Sequence, residues 1–402
     1  MKIMWHSCSG DFATGYGVLT KLFTSKLKEK GFDVTILDSA GYRPTHYNSD
    51  GIQVLAKLRS TSDFGQTWLM EHFNYIQPDI LFSLIDIFVL QPSLVEPYPW
   101  IPWVVIDSDP LNPVIGQRLL TSKAIATPSR YAEQVVSLAG FSNHYCPYAF
   151  DTEVFYPEDI KAAKKQLSKD TEKDITDKFF VSYNAANVHS FGRKNFGRLF
   201  EIWSIFIKSH PDAVLYCHTA VSDEFGGERL YRMVKFFNIP DENIIFAPQY
   251  HYKTGLLDQD YLRLIYSASD CYFCPSKGEA FGLPIIEAQL CGAPAIVTDC
   301  SAMTELCYSG QVVPGRRHIT NFETFWTDIY VDKALESLEF MYQNRGNQEL
   351  RDQASEGAKE YDVDLVLDKY MIPMFKDVLG KMEAGTLDPP FEHSELNFTP
   401  NL

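Results

Sequence analysis

The alternation of strand, loop and helix along this chain predicts an α/β protein of two Rossmann-like, doubly wound domains with a cleft between them. Three observations carry that expectation. Lys2 to Ser7 reads as a strand and Ser9 to Gly17 as a Gly-bearing loop, after which Val18, Leu19, Leu22, Phe23 and Leu27 recur at helical spacing. The same order starts again at Phe179 and runs through several strand–helix pairs. Between the two series, residues 157–178 are dense in Lys, Asp and Glu and read as a helical, solvated connection.

In the first series Gly31 stops the opening helix and Asp33–Leu37 is the next strand. Asp79–Leu84, Trp100–Ile106 and Ala124–Thr127 follow as strands, the last leading into Pro128-Ser129-Arg130 and a helix from Tyr131 to Ala139. In the second, Phe179–Asn184, Ala213–His218, Asn243–Phe246, Asp270–Cys274 and Ala295–Thr298 read as strands. Helices are expected near 195–209, 228–237, 260–268, 283–291, 331–344 and 350–361. The expected division is an N-terminal domain at 1–156 and a second at 157–360. Residues 361–402 would form a terminal helix crossing back to the first domain, then a tail.

The 402 residues suit two or three domains at roughly 150 residues each. Hydrophobic residues at 45% and charged residues at 22% argue against global disorder. A net charge of −16 disfavours nonspecific adhesion to nucleic acid or anionic membranes, without excluding a local basic groove. Apolar runs fall short of the ~18 residues that cross a bilayer, and Asp11 comes too early for a signal peptide, so a cytoplasmic protein is expected. The eight Cys read as reduced core thiols. Cys271 and Cys274 form a C-x-x-C, but it lies inside a strand without a partner pair.

The chemistry concentrates in Pro275-Ser276-Lys277-Gly278-Glu279-Ala280-Phe281-Gly282-Leu283-Pro284-Ile285-Ile286-Glu287-Ala288. A strand ends, a two-glycine loop follows, and a helix opens near Leu283 with Pro284 in its first turn. The unpaired N–H groups of that helix start suit a phosphate. One of Glu279 and Glu287 can hold sugar hydroxyls and the other a ribose. A plain helix N-terminus with ordinary acids is the alternative.

Gly278-Glu279-x-Phe281-Gly282-Leu283-Pro284-x-x-Glu287-Ala288, followed by Gly292-x-Pro294, resembles the E-x7-E signature of retaining glycosyltransferases of the GT-B fold, especially glycosyltransferase family 4. Gly15–Gly17, Pro128-Ser129-Arg130, Asp151–Phe155 and Arg193-Lys194-Asn195 extend the resemblance over about residues 1–380. It implies a nucleotide-diphospho-sugar donor on the second domain, with Glu287, Phe281, Gly282, Leu283, Thr304 and Glu305 around it. It implies a hydroxyl acceptor on the first domain, retention at the anomeric carbon, and no cofactor or required metal. Arg193 and Lys194 would neutralise the leaving diphosphate, with Glu279 beside the sugar.

The chain departs from the family pattern at three points. His189 stands where members carry an Arg five residues before the Lys, so Arg193 replaces that cation or the phosphate site differs. Ile106 is followed by Asp107-Ser108-Asp109 where members place a His. Asp107 takes that catalytic place with Asp109 on the acceptor, or the two merely cap a helix. The family's Gly-Gly is Gly15-Tyr16-Gly17, which still lets backbone approach a diphosphate, with Tyr16 against the acceptor. Thr304 and Glu305 are equally a helix cap and first-turn acid. Arg316-Arg317-His318 reads as a solvated loop.

The expectation is therefore glycosyl transfer to a glycan, lipid-linked or small-molecule hydroxyl. The Thr14–Gly17 loop is similar to that of phage glycosyltransferases, which makes hydroxymethylated DNA bases an alternative acceptor, disfavoured by the acidic charge. A sugar-nucleotide epimerase or a non-enzymatic nucleotide-sugar binder are the other readings.

Overall fold

The computed structural model describes residues 1–40, 47–55, 63–188, 192–223 and 226–391. The chain divides into two compact units. The first holds Met1–Asp151, Asn321–Thr324 and the chain from Tyr361 onward; the second holds Thr152–Thr320 and Phe325–Glu360.

The first unit is built on β1 (Lys2–Ser7), β2 (Asp33–Asp38), β3 (Tyr47–Ser49), β4 (Ile52–Leu55), β5 (Ile80–Ser83) and β6 (Trp100–Pro102), in the order β3-β4-β2-β1-β5-β6. All neighbours are parallel except β3, which returns antiparallel on β4. Asp50 and Gly51, both at positive φ, make that turn, as an Asp-Gly hairpin requires. The expected strand Trp100–Ile106 is cut to three residues. Pro102 has no N–H to give, the next N–H groups go to Ser83 and Ala126, and Trp103 makes only a single bridge to Ala126. A short parallel pair, β7 (Ala126–Thr127) and β8 (His144–Tyr145), completes the unit.

Its core is aromatic. Trp5, Phe23, Phe82 and Trp103 are fully buried and meet at ring-centroid distances of 4.9 Å (Trp5–Phe82) and 5.0 Å (Phe23–Trp103). The terminal helix Ile372–Glu383 lays Phe375 edge-on against Phe82 at 5.1 Å. Edge-to-face pairs of this kind contribute about 0.5–1.5 kcal/mol beyond their area burial.

The second unit is built on β9 (Phe179–Asn184), β10 (Ala213–His218), β11 (Ile244–Phe246), β12 (Cys271–Cys274), β13 (Ala295–Thr298) and β14 (Gly310–Val313), ordered β11-β10-β9-β12-β13-β14 and all parallel. β9, β10, β12 and β13 are buried almost throughout, as strands covered on both faces must be. An antiparallel ribbon of β15 (Gly315–Ile319) and β16 (Phe325–Ile329) follows. Arg316-Arg317-His318 is thus a strand and not a loop, with the Arg317 guanidinium 4.6 Å over the Phe325 ring. The acidic and basic stretch before β9 holds the helix Ile160–Thr171, which belongs to the second unit. Its Lys164 is buried and donates to Asp270 (2.7 Å) and to the Lys178 carbonyl (2.8 Å).

Both sheets are doubly wound. The chain leaves the first sheet's middle at β1, runs outward, and returns beside it at β5. In the second it leaves from β9 and returns at β12. The crevice beyond the carboxyl ends of such a strand pair is where ligands settle in open α/β sheets. That rule points to the loops after β1 and β5, and to those after β9 and β12.

Candidate functional site

The loops after β9 and β12 carry a part-buried charged cluster. Arg193 and Lys194 lie in a turn between β9 and the helix Phe196–Phe206, and Glu279 lies between β12 and the helix Leu283–Leu290. One carboxylate holds both cations. Lys194 Nζ donates to Glu279 Oε1 at 2.6 Å, and Arg193 donates to Oε2 at 2.9 Å and to the Gly278 carbonyl at 2.6 Å. The Glu279 side chain is 10% exposed. Burial alone would raise its pKa, but Arg193 and Lys194 outweigh burial and bring it down to about 2. Glu279 is thus an anion at neutral pH, suited to accept hydrogen bonds and unsuited to donate a proton.

The turn bearing the cations is fixed from several sides. The buried Tyr183 hydroxyl donates to the Lys194 carbonyl at 2.6 Å and meets Ser276 Oγ at 3.2 Å. The Lys277 N–H donates to the Arg193 carbonyl at 2.8 Å. The Lys277 side chain reaches toward Gly192. Its Nζ would stand 4.0 Å from a Cβ at Gly192.

Gly282 caps the helix Leu283–Leu290 at φ 106°, ψ 58°, with Pro284 in the first turn. Its positive φ demands glycine; a Cβ there would also sit 2.8 Å from Ile285 Cδ1, a side-chain end that can move aside. Phe281 is buried at 2% exposure, leaving its backbone for a ligand and not its ring. Glu287 is also buried. It accepts a hydrogen bond from Tyr266 (2.9 Å), whose oxygen in turn accepts from Asn184 Nδ2 (2.8 Å). Burial raises its pKa to about 7, against the Tyr266 hydrogen bond that lowers it.

Thr304 is a C-cap, not the start of a helix with Glu305 in its first turn. Both residues follow the short 3-10 turn Ser301–Met303, where Thr304 donates to Asp299 at 3.1 Å. Ser301 of that turn accepts the Glu279 N–H at 2.9 Å. His189 lies outside the described residues.

In the first unit, Gly15, Tyr16 and Gly17 are not a loop but the first turn of the helix Gly15–Glu29. Thr14 caps it by accepting from the Gly17 N–H. A Cβ on Gly17 would stand 2.1 Å from the Phe12 carbonyl oxygen, so this glycine serves a close approach of the chain to itself. Tyr16 donates to Asp86, which follows β5, at 3.1 Å. That bond joins the helix after β1 to the segment after β5 at the switch point. Asp107 and Asp109 are half-buried beyond β6, and Asp109 accepts from Tyr131 at 3.2 Å. Neither caps a helix: Asn112 does so for Pro113–Leu119. Cys271 and Cys274 are buried, and Cys274 lies against Ser276 and Met303.

Residues 251–361 match the family described as glycosyl transferases group 1. An uncharacterized glycosyltransferase of Haemophilus influenzae is 28% identical over 113 residues, 28% of each chain. The serotype-specific mannosyltransferase WbdA of Escherichia coli is 31% identical over 81 residues, 20% of this chain and 9% of that one. The matches thus span less than a third of either relative. The likeness of fold extends much further. Sucrose-phosphate synthase from Thermosynechococcus elongatus superposes with a TM-score of 0.73 at 16% identity, over 94% of this chain and 99% of that one. Anabaena HepE in complex with UDP and glucose gives 0.65 at 13% identity, over 94% and 100%. The lipopolysaccharide glycosyltransferase WaaG gives 0.64 at 12%, over 94% and 100%. The fold is that of the GT-B glycosyltransferases.

The structure brings the expected Arg193, Lys194 and Glu279 into contact, while Glu287 pairs with Tyr266. Sequence reasoning missed Lys277, Tyr183, Ser301 and Tyr266. Lys277 was the one within reach, since it lies two residues before Glu279.

Proposed function

We propose that this protein is a retaining glycosyltransferase that moves a sugar from a nucleotide-diphospho-sugar to a hydroxyl acceptor. The family match over residues 251–361 supports glycosyl transfer. The observation that carries the donor assignment is the pairing of one buried carboxylate, Glu279, with both Arg193 and Lys194, on the loop that leads into the helix Leu283–Leu290. In this reading those cations and that helix start hold the diphosphate. They gain strength as charge builds on the leaving β-phosphate oxygen. Glu279, a permanent anion, accepts hydrogen bonds from sugar hydroxyls, and Glu287 accepts from the ribose. The acceptor belongs to the first unit, at Tyr16 and Asp109, with Asp107 the group that takes the acceptor's proton.

HepE was crystallised with UDP and glucose, so UDP-glucose is the first donor to try. The test is a panel of UDP-, GDP- and ADP-sugars, with release of nucleoside diphosphate and the anomeric configuration of the product as readouts. Release from one donor that disappears in Lys194→Ala is the expected result. A product of inverted configuration overturns retention. Failure of every donor to bind overturns the reading.

A further inference from the structure

We propose that Asp328, on the β15–β16 ribbon, is a positioning residue that holds the Arg193–Lys194–Asn195 turn in the conformation presenting its two cations to a diphosphate. The inference rests on the donor reading above and adds to it a residue 134 positions from Lys194 that touches no substrate.

The argument starts at Asn195. It precedes the helix Phe196–Phe206 with φ 59°, ψ 37°, a left-handed conformation. Few residues other than glycine adopt such a backbone. Asparagine tolerates it when its amide bonds to nearby backbone, yet here the side chain makes no capping bond to its own helix. It turns inward and is buried at 6% exposure. Nδ2 donates to the Pro275 carbonyl at 3.0 Å and to Asp328 Oδ1 at 2.9 Å. The strained residue next to Lys194 is therefore held by its side chain, and one of its two anchors is on the ribbon.

Asp328 is itself held. Arg198, one turn into the same helix, donates to Oδ2 at 2.7 Å. Burial would raise the Asp328 pKa, but the hydrogen bonds from Arg198 and Asn195 hold it below the ordinary value. A second thread leads from the ribbon to the same turn. The Thr327 N–H donates to the Lys277 carbonyl at 2.9 Å, and the Lys277 N–H donates to the Arg193 carbonyl at 2.8 Å. β16 thus reaches Arg193 through backbone and Asn195 through a side chain. Electrostatic stabilisation depends on placement within about half an ångström, so a turn that relaxes when its anchor goes loses the effect of cations that are still present.

The experiment is calorimetric titration of the full chain with UDP, ADP and GDP, with thermal melts in parallel. Asp328→Ala should weaken the preferred nucleoside diphosphate by about tenfold or more. Asp328→Asn keeps an oxygen for the Asn195 amide and should recover most of that loss. Asn195→Gly keeps the left-handed backbone and removes the amide; in that background Asp328→Ala should add little, because both act through one bond. If Asp328→Ala lowers the melting temperature but binds within twofold of the parent, the ribbon is only structural and the proposal is overturned. Full additivity of the two substitutions overturns it as well, and if Asp328→Ala does not fold, parent-like binding by Asn195→Gly overturns it. Parent-like binding by Lys194→Ala overturns the donor reading itself, and the positioning role with it; loss in Lys194→Ala without loss in Asp328→Ala overturns the positioning role alone.

Discussion

Glu279 and Glu287 lie eight positions apart and are both buried, yet their environments drive them in opposite directions. Two cations hold Glu279 down to about 2, whereas burial takes Glu287 up to about 7 with only tyrosine as a partner. A neutral Glu287 is a poor acceptor for ribose hydroxyls, so donor binding should be linked to loss of its proton. Affinity for the preferred nucleoside diphosphate is expected to rise between about pH 6 and about pH 8, and Glu287→Gln should flatten the profile and cost about 1–3 kcal/mol above it. Calorimetry across that range checks this; a flat parent profile would detach Glu287 from the ribose. The stability effect has the opposite sense. A carboxyl whose folded pKa is raised binds more protons folded than unfolded, so its contribution is present below the ordinary value and is lost as pH rises through about 7. Lys194 gives a second prediction. Lys194→Ala should lose roughly 10²–10³ in turnover, as for one lost electrostatic stabiliser. It should also lower the melting temperature, because Glu279 is left buried with Arg193 alone. Arg193→Ala should match it in turnover if Arg193 has taken over from the upstream family Arg. Steady-state kinetics and melts on both variants separate the two roles.

Among the elements near the charged cluster, the helix Leu283–Leu290 starts from a glycine at positive φ. Gly282 combines φ 106° with a Cβ position 2.8 Å from Ile285 Cδ1. Gly282→Ala should cost about 1–3 kcal/mol in strain. It should also weaken diphosphate binding to the extent that the backbone leaves its positive φ to relieve the strain. Melting and titration of the variant test both, and a fully parent-like variant would show that the helix start does not set the site. The sequence made this element legible because its signals are local: two glycines, a Pro in the first turn, and an apolar helix. The buried strands were legible for the same reason, and β1 and β10 run between the residues expected. β3 and β4 escaped notice at three and four residues each, although Asp50-Gly51 is a hairpin signal. The β15–β16 ribbon escaped because Arg316-Arg317-His318 breaks the apolar alternation by which strands are read. Its stacking partner, Phe325, becomes apparent only in the folded pairing. The Gly15–Gly17 turn was read as a loop because two glycines outweighed the Thr14 cap in a propensity argument.

At the scale of the whole molecule, the two switch points follow from strand order, and strand order follows from an alternation visible in the sequence. What a single sequence does not show is which distant side chains complete a site. Tyr183 reaches Ser276 across 93 positions, Tyr266 reaches Glu287 across 21, and Asp328 reaches Asn195 across 133. Each of these bonds is fixed by tertiary packing and leaves no local pattern. The same tertiary picture bears on how a leaving diphosphate is neutralised. Arg193 and Lys194 on the loop after β9 share Glu279 on the loop after β12, which leads into the helix Leu283–Leu290. Glu279 cancels part of their charge and at the same time fixes both cations in place. Fixed cations and backbone N–H groups can stabilise a developing phosphate anion without reorganising, which is the service a divalent ion performs in other sites. Turnover should therefore be unchanged by excess EDTA, and added magnesium or manganese should not raise it beyond a general ionic-strength effect. The same assay on Lys194→Ala sharpens the test. If a divalent ion partly restores that variant while leaving the parent unaffected, the ion is substituting for the missing ammonium, as the argument requires. If EDTA abolishes the parent's turnover and metal restores it, the cations alone do not suffice, and Asp107 and Asp109 become the first carboxylates to substitute.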